Sequence, residues 1–202
     1  MLRHTLLPLL LFGSLALAQD TQGLYAPAPP PNSAFIRLIN ATRTPLKATL
    51  GGKSASAPKV GISSYLVVPQ GKVSMTSGAA GVTLPLSAGK FYSAVWTGKT
   101  FKLLTDSNAD DRAKALLTLY NLSSKPSLDL KTADGKLSVV SGVKPGSSGD
   151  RAVNGITVDL AAFSGTKALA TFKGVSLERG NAYAVVVTDA GSSFTASSTT
   201  TK

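Results

Sequence analysis

The 202-residue chain contains no cysteine and a single histidine, His4. Without cysteine it has no disulfide, no thiolate nucleophile and no thiolate ligand for a metal. His4 lies in a segment that we expect to be cleaved off, so the mature chain would have no imidazole. Ser-His-Asp and Cys-His catalysis both need an imidazole that exchanges protons near neutral pH. We therefore expect no enzymatic activity, the alternative being a histidine-free enzyme whose nucleophile a lysine activates.

Acidic residues are scarce and unevenly placed. The chain has 21 Lys and Arg against 10 Asp and Glu, a formal net charge of +11. Residues 19–105 hold nine basic residues and one acid, whereas residues 106–202 hold eleven basic residues and nine acids. A surface of one sign attracts polyanions, although plain solubility is the alternative explanation. We predict a polyanion-binding surface in the first half, formed by Arg37, Arg43, Lys47, Lys53, Lys90, Lys99 and Lys102.

Long hydrophobic runs are absent except at the N-terminus. Arg3 and His4 precede an apolar run from Leu6 to Leu17, which ends in the small-residue site Ala16-Leu17-Ala18. This layout predicts a signal peptide over residues 1–18, cleaved after Ala18. The run is too short to span ~30 Å of hydrocarbon, and no later run is longer. We expect a periplasmic or otherwise exported protein with no membrane span after cleavage.

The rest of the chain contains an internal duplication. Residues 34–45 (AFIRLINATRTP) align with residues 115–126 (ALLTLYNLSSKP), which places Asn40 on Asn121. Residues 89–97 align with residues 180–188, which places Tyr92 on Tyr183. The spacing from Asn to Tyr is 52 residues in the first half and 62 in the second. We expect the extra ten residues in the Gly/Ser-rich stretch 141–155.

Each half reads as β-structure. Short β-branched and apolar runs alternate with polar residues, and Gly, Pro, Asn or Asp interrupt them every eight to twelve residues. The pattern predicts an all-β protein: a Pro-rich arm over residues 19–32, then two tandem, related small β-sandwich domains over residues 33–106 and 107–202, the second with a frayed tail. Strands are expected near residues 34–40, 45–50, 64–68, 72–77, 80–85, 90–97 and 100–105, and then 115–121, 127–131, 136–141, 154–160, 166–173, 181–188 and 193–197. One helical turn is expected around residues 109–115, where the halves join.

The first strand of each half has no solvated side. Phe35 and Ile39 lie on the face opposite the expected sandwich core, and so do Leu116 and Tyr120 in the matching strand. A face this apolar has to be covered. We predict a partner or interdomain face formed by these four residues, and the pattern leaves open whether the other half, a connecting loop or another protein covers it.

No motif for a metal or a cofactor is present. The acidic stretch that begins at Asp106 (DSNADD) lacks the Gly and the distal Glu of an EF-hand loop, and we interpret it as an interdomain turn. The basic residues are dispersed and lack an RNP-type aromatic pattern, which argues against nucleic acid as a partner. We therefore expect no metal, no cofactor and no nucleic acid.

The segment LYAPAPPPNSAFIRLINAT resembles the start of the mature AlgF family, the periplasmic accessory proteins of alginate O-acetylation. The matching features are Leu24-Tyr25, a Pro-containing spacer, the run from Ser33 to Arg37, and Asn40-Ala41. The resemblance implies a non-catalytic adaptor in an exported complex that modifies an acidic polysaccharide, and we expect it to dock the acetyltransferase subunits of that complex. The cationic first half adds the expectation that an acidic polysaccharide could be a second partner. The alternatives are an extracellular matrix or surface module that binds an acidic polymer, or the histidine-free enzyme above.

Overall fold

The computed structural model describes residues 28–197, and every regular element among them is a β-strand. The predicted signal peptide, residues 19–27 of the Pro-rich arm and the tail from residue 198 lie outside the described residues. The first half contains β1 (Ser33–Asn40), β2 (Leu46–Leu50), β3 (Lys53–Ala57), β4 (Gly61–Ile62), β5 (Leu66–Pro69), β6 (Gly71–Ser77), β7 (Ala80–Leu86), β8 (Phe91–Trp96) and β9 (Phe101–Asp106). The second half contains β10 (Ala115–Leu122), β11 (Leu128–Thr132), β12 (Ser138–Val143), β13 (Ser147–Val153), β14 (Thr157–Ser164), β15 (Lys167–Ser176), β16 (Ala182–Thr188) and β17 (Gly191–Ser197).

Each half forms a sandwich of two sheets, as the sequence predicts. In the first domain the inner sheet has the order β4-β1-β8-β9, with β5 also paired to β1, and the outer sheet has the order β3-β2-β6-β7. In the second domain the inner sheet is β13-β10-β16-β17 and the outer sheet is β12-β11-β14-β15. The pairs β1–β8 and β10–β16 are parallel, whereas the other pairs are antiparallel. In each domain, the inner sheet is the one that faces the other domain.

Each sandwich has its own core between its two sheets. In β1, Ile36 and Leu38 are fully buried and pack with residues such as Met75 of the outer sheet. In β10, Leu117 and Leu119 do the same in the second domain. The outer strands alternate buried and exposed residues, as in β2, because one face packs on the core and the other meets solvent.

A third apolar cluster joins the two domains. It contains Ile39, Ile62 and Val95 from the first inner sheet, and Tyr120, Ala184 and Val186 from the second. The inner sheets therefore pack face to face, and the four sheets stack as outer, inner, inner, outer. This packing explains why β1 and β10 have no polar side.

The duplication is visible in two buried asparagines. Asn40 Nδ2 donates to the carbonyl oxygens of Thr44 (2.7 Å) and Pro58 (3.0 Å), and its Oδ1 accepts from the Thr42 amide. Asn121 Nδ2 donates to the carbonyls four and 22 residues later, and its Oδ1 accepts from the amide two residues later. Each side chain closes the loop that follows the first strand of its domain, as expected of an Asx turn.

Two tyrosines repeat in the same way. The Tyr92 hydroxyl accepts a hydrogen bond from the Ser87 amide (3.1 Å), and the Tyr183 hydroxyl accepts one from the Glu178 amide (2.8 Å). Both acceptors lie five residues after their donors in the chain. Both residues are buried, with 7% and 5% of their surface exposed. Each tyrosine therefore fixes the turn that leads into its own strand.

The strand predictions differ from the structure mainly at three weakly apolar elements. The prediction omits β3 and the two-residue β4. The Gly/Ser-rich stretch expected to hold the inserted residues contains β13, which pairs with β10 from Ala115 to Asn121. No helical turn forms around residues 109–115, where a turn leads directly into β10. Over the described residues, no helix is long and apolar enough to cross a membrane.

Candidate functional site

A buried ionic network lies between the two domains. Arg37 of β1 pairs in register with Ser93 of β8, and the β8–β9 hairpin returns Asp106 to the same face of the inner sheet. Tyr65 reaches the network from the segment between β4 and β5, and Tyr120 enters from β10 of the second domain. Arg37 is 3% exposed and Tyr120 is fully buried.

The Asp106 carboxylate is the centre of this network. Its Oδ2 accepts hydrogen bonds from Ser93 Oγ (2.6 Å) and from the Tyr65 hydroxyl (2.7 Å), and its Oδ1 accepts one from the Tyr120 hydroxyl (2.5 Å). Arg37 donates to the same two intermediaries, from Nε to Ser93 Oγ (2.9 Å) and from Nη2 to the Tyr120 hydroxyl (2.6 Å). Arg37 Nε lies 3.6 Å from Asp106 Oδ2. Two buried charges are thus paired and hydrogen-bonded, as burial of charge requires.

Three groups in the network, Arg37, Tyr65 and Tyr120, have a raised pKa. Burial lowers the pKa of Arg37, but the neighbouring Tyr120, Tyr65 and Asp106 outweigh that effect and the pKa is raised overall. Burial raises the pKa of Tyr65 and of Tyr120, although the Arg37 charge partly opposes the rise. The guanidinium also stacks over the Tyr65 ring at 4.5 Å from its centroid. Both phenols are therefore neutral donors near neutral pH, and neither is poised to act as a nucleophile.

The structure places the four predicted face residues in three settings. Ile39 and Tyr120 come together in the interdomain cluster. Phe35 is half-buried and stacks on Phe91, with ring centroids 4.4 Å apart. Leu116 is buried at 9% exposure, on the same side of β10 as Tyr120. The second domain thus covers this face of β1 at Ile39, which is one of the coverings that the sequence leaves open.

The predicted polyanion-binding residues separate into a buried one and an exposed set. Arg37 lies inside the interface and pairs with Asp106, so it is not available to a ligand at the surface. The exposed set comprises Arg43, Lys47, Lys53, Lys90, Lys99 and Lys102. Because Asp106 is the only acid between residues 28 and 106 and its side chain is 3% exposed, the described surface of the first domain carries cations without any exposed carboxylate.

Two of these cations reach the second domain. Lys102 Nζ donates to the carbonyl of Gly146 (2.6 Å), and Arg43 Nε donates to the carbonyl of Ala190 (3.4 Å). Both line an open cleft of about 610 Å³ between the domains, together with Asp189. Both Asp189 oxygens accept from the Ser124 amide, at 3.0 and 3.1 Å. The cleft therefore combines two cations with a carboxylate that is already engaged in hydrogen bonds.

No metal centre emerges from the acidic stretch after β9. In residues 28–197 no group of three His, Cys, Asp or Glu side chains comes together around a point that could hold an ion. Asp110 accepts from Asn108 Nδ2 (2.6 Å), and Asp111 accepts from the Ala113 amide (2.9 Å). These local bonds are those of a connecting turn.

The sequence analysis did not predict three members of the network. It did not single out Tyr65 or Ser93, and it assigned Asp106 to an interdomain turn. A signal was present: β1 places Arg37 on an apolar face, and the first domain offers a single carboxylate, Asp106. A buried cation needs an anion, so this pair could have been proposed. Nothing in the sequence marks Tyr65, because its position depends on the break between β4 and β5.

Comparison with known proteins identifies the family. The family described as "Alginate O-acetyl transferase AlgF" matches residues 7–184. The chain belongs to the AlgF family. The "Alginate biosynthesis protein AlgF" of Azotobacter vinelandii is 36% identical over 178 residues, which cover 87% of this chain and 82% of the relative. The AlgF resemblance at residues 24–41 thus extends over most of the sequence.

Two solved structures of AlgF domains from P. aeruginosa are also similar to this chain. The C-terminal domain is 41% identical, covers 42% of this chain and 97% of its own, and gives a TM-score of 0.37. The N-terminal domain is 25% identical, covers 40% of this chain and 100% of its own, and gives a TM-score of 0.35.

Proposed function

We propose that this chain is a non-catalytic adaptor of alginate-like O-acetylation, acting in the periplasm and docking acetyltransferase subunits. Membership of the AlgF family supports a role in alginate acetylation. The observation that carries the adaptor role is the use made of the buried acid–base groups. Within residues 28–197, Arg37, Asp106 and their hydroxyl partners serve to hold one domain against the other.

An active site needs reactive groups that a substrate can reach, and this network lacks that access. The side chains of Arg37 and Asp106 are 4% and 3% exposed, and the three hydroxyls donate to the carboxylate. In the described part of the chain, Ser193 Oγ is the one buried side-chain polar atom without a hydrogen-bond partner. A serine without an imidazole beside it is a weak nucleophile, which supports a binding role.

Two domains fixed by a buried interface form a platform with a defined geometry. A platform of this kind raises the effective concentration of two bound partners without new chemistry. We therefore propose that the adaptor contributes to acetylation by holding acetyltransferase subunits together, while the acetyl group itself is handled by those subunits.

The surface of the first domain favours a second binding role. Its exposed cations, with no exposed carboxylate beside them, would attract an acidic polysaccharide. We propose that the adaptor also holds an anionic glycan near the acetyltransferases. An extracellular or surface module that binds an acidic polymer would use the same surface without acetyltransferase partners.

The test uses the purified mature chain. It is incubated with an acetyl-ester reporter, and its binding to acetyltransferase subunits of the host's alginate machinery is measured by biolayer interferometry. The expected result is no turnover above buffer together with saturable binding of at least one subunit. Turnover that co-purifies with the chain and disappears in Ser193→Ala would establish the histidine-free enzyme instead. Binding of the polymer without binding of any subunit would favour the surface module.

A further inference from the structure

The second domain carries an apolar groove that the interdomain interface does not use. Leu137 and Ile156 are 67% and 52% exposed, and they are the two large hydrophobic side chains that stand exposed in residues 28–197. Both line the same cavity of about 380 Å³, between the edges of the inner and outer sheets. Its floor includes Leu117 and Leu160, which are buried in the domain core.

The groove has a structural origin in β12. The register between β11 and β12 shifts twice, between Leu128 and Leu130 and again before Lys131. Bulges of this kind bend an edge strand, and the sheets meet closely at one end of β12. There a Cβ on Gly149 would lie 3.0 Å from both Val140 and Val143. Val139 and Val153, on the same two strands, line the cavity.

The rim of the groove is cationic. Lys114 Nζ donates to Asn154 Oδ1 (2.6 Å), and Arg151 donates to the carbonyls of Ser138 (3.3 Å) and Val139 (3.4 Å). These acceptors are neutral, and neither cation forms an ion pair in the described part of the chain. A ligand that brings an apolar group to Leu137 and a carboxylate to the rim would complement both features.

We propose that this groove docks an extended segment of an acetyltransferase subunit, with an aliphatic side chain seated between Leu137 and Ile156 and a flanking carboxylate on Lys114 and Arg151. The inference rests on the adaptor function and names the surface that performs it. A cavity of about 380 Å³ lies near the lower end of ligand-site volumes, which suits one anchoring side chain of a short extended segment. A second copy of this chain is a poor occupant, because two mature chains, each with 20 basic and 10 acidic residues, repel each other.

The experiment measures the affinity of the full mature chain for each purified acetyltransferase subunit. The apolar anchor is tested with Leu137→Ser/Ile156→Ser, and the rim with Lys114→Glu/Arg151→Glu. The matched control is Lys125→Glu/Lys167→Glu, two exposed cations of the same domain that do not line the groove. The altered side chains are exposed or lie at the rim, so we expect every variant to fold. Each variant must show the same midpoint of thermal unfolding as the parent.

We expect each groove variant to weaken binding at least tenfold and the control pair to leave it unchanged. If the parent binds a subunit and the anchor variant binds equally well, the groove proposal is overturned while the adaptor function stands. If the anchor variant weakens binding and the rim variant does not, the proposal that the bound segment carries a carboxylate is overturned. Absence of binding by the parent would overturn both proposals. Light scattering that shows a dimer dissolved by Leu137→Ser/Ile156→Ser would instead assign the groove to self-association.

Discussion

Arg37 and Tyr120 illustrate how the two copies of the duplicated domain have diverged. The alignment of Asn40 with Asn121 places Arg37 on Thr118 and Ile39 on Tyr120. The first domain therefore supplies the cation and the second supplies a phenol that both accepts from the cation and donates to Asp106. The matching positions thus carry complementary side chains, and the interface between the two related faces is asymmetric.

Removal of the Asp106 charge should be strongly destabilising. Asp106→Asn leaves the Arg37 cation buried without its anion, and breaking a buried pair in this way costs about 3–5 kcal/mol of unfolding free energy. Urea denaturation followed by tryptophan fluorescence measures the change. The control is Lys136→Gln, which removes an ion pair whose side chains are 81% and 54% exposed, and it should leave the midpoint unchanged. Equal midpoints for the two variants would show that the network contributes little to stability.

The pKa of Tyr120 should make stability depend on alkaline pH. Burial raises this pKa above its ordinary value of about 10. The contribution of the neutral phenol is therefore complete below pH ~10 and is lost as the pH rises through the folded-state value.

Absorbance at 295 nm near pH 11 measures the ionised tyrosines directly. Folded Tyr120→Phe should give the same tyrosinate signal as the folded parent, because Tyr120 is not ionised there. In urea the variant should show one tyrosinate less than the parent. A folded-state difference of one tyrosinate would mean that Tyr120 titrates normally.

At the scale of elements, the sequence predicts strands well where apolar residues are concentrated. The strands β1, β8, β10 and β16 are apolar on both faces, and their predicted bounds agree with the structure to within one or two residues. The predicted alternation of β1 also indicated a covered second face, and the structure places Ile39 on it. The two-sandwich fold followed from these strands and from the duplicated Asn and Tyr positions.

Other elements exist because of their neighbours, which no single segment reveals. The β3 sequence is KSASA and the β13 sequence is SSGDRAV. Neither is apolar enough to be recognised, and each is ordered by pairing along a strong strand, β2 or β10. The candidate site was harder still to predict, because its residues span the sequence from Arg37 to Tyr120 and meet only after both domains have folded and docked.

The close approach of β12 and β13 depends on a residue without a side chain. Gly149→Ala adds a methyl group 3.0 Å from Val140 and Val143, and such overpacking should cost about 1–3 kcal/mol. Gly81→Ala is the matched control, because its nearest neighbour would lie at 3.7 Å, and it should change stability by less than about 0.5 kcal/mol. Denaturant unfolding of both variants checks the difference, and equal stabilities would contradict tight packing at Gly149.

At the scale of the whole molecule, the asymmetry of charge should govern retention on an anionic polymer. Reversal of Lys90, Lys99 and Lys102 to Glu should weaken binding to immobilised alginate more than reversal of Lys125, Lys131 and Lys136. If each reversed surface charge costs about 0.5–1 kcal/mol, the first triple variant loses roughly 10- to 150-fold in affinity. Elution by a salt gradient measures the effect, and a thermal melt checks that the loss of the Lys102 contact to Gly146 leaves the fold intact. Equal losses would refute a role for the asymmetry.

The burial of Asp106 has a further effect on how the two domains respond to their surroundings. With its one carboxylate buried, the first domain exposes no anion between residues 28 and 106 that could compete with a ligand for its cations. The second domain, with eight acids beyond Asp106, pairs two of its own lysines internally, Lys131 with Asp129 and Lys136 with Asp134. An anionic polymer therefore meets no competing carboxylate on the first domain, whereas on the second it must displace contacts that the chain already makes.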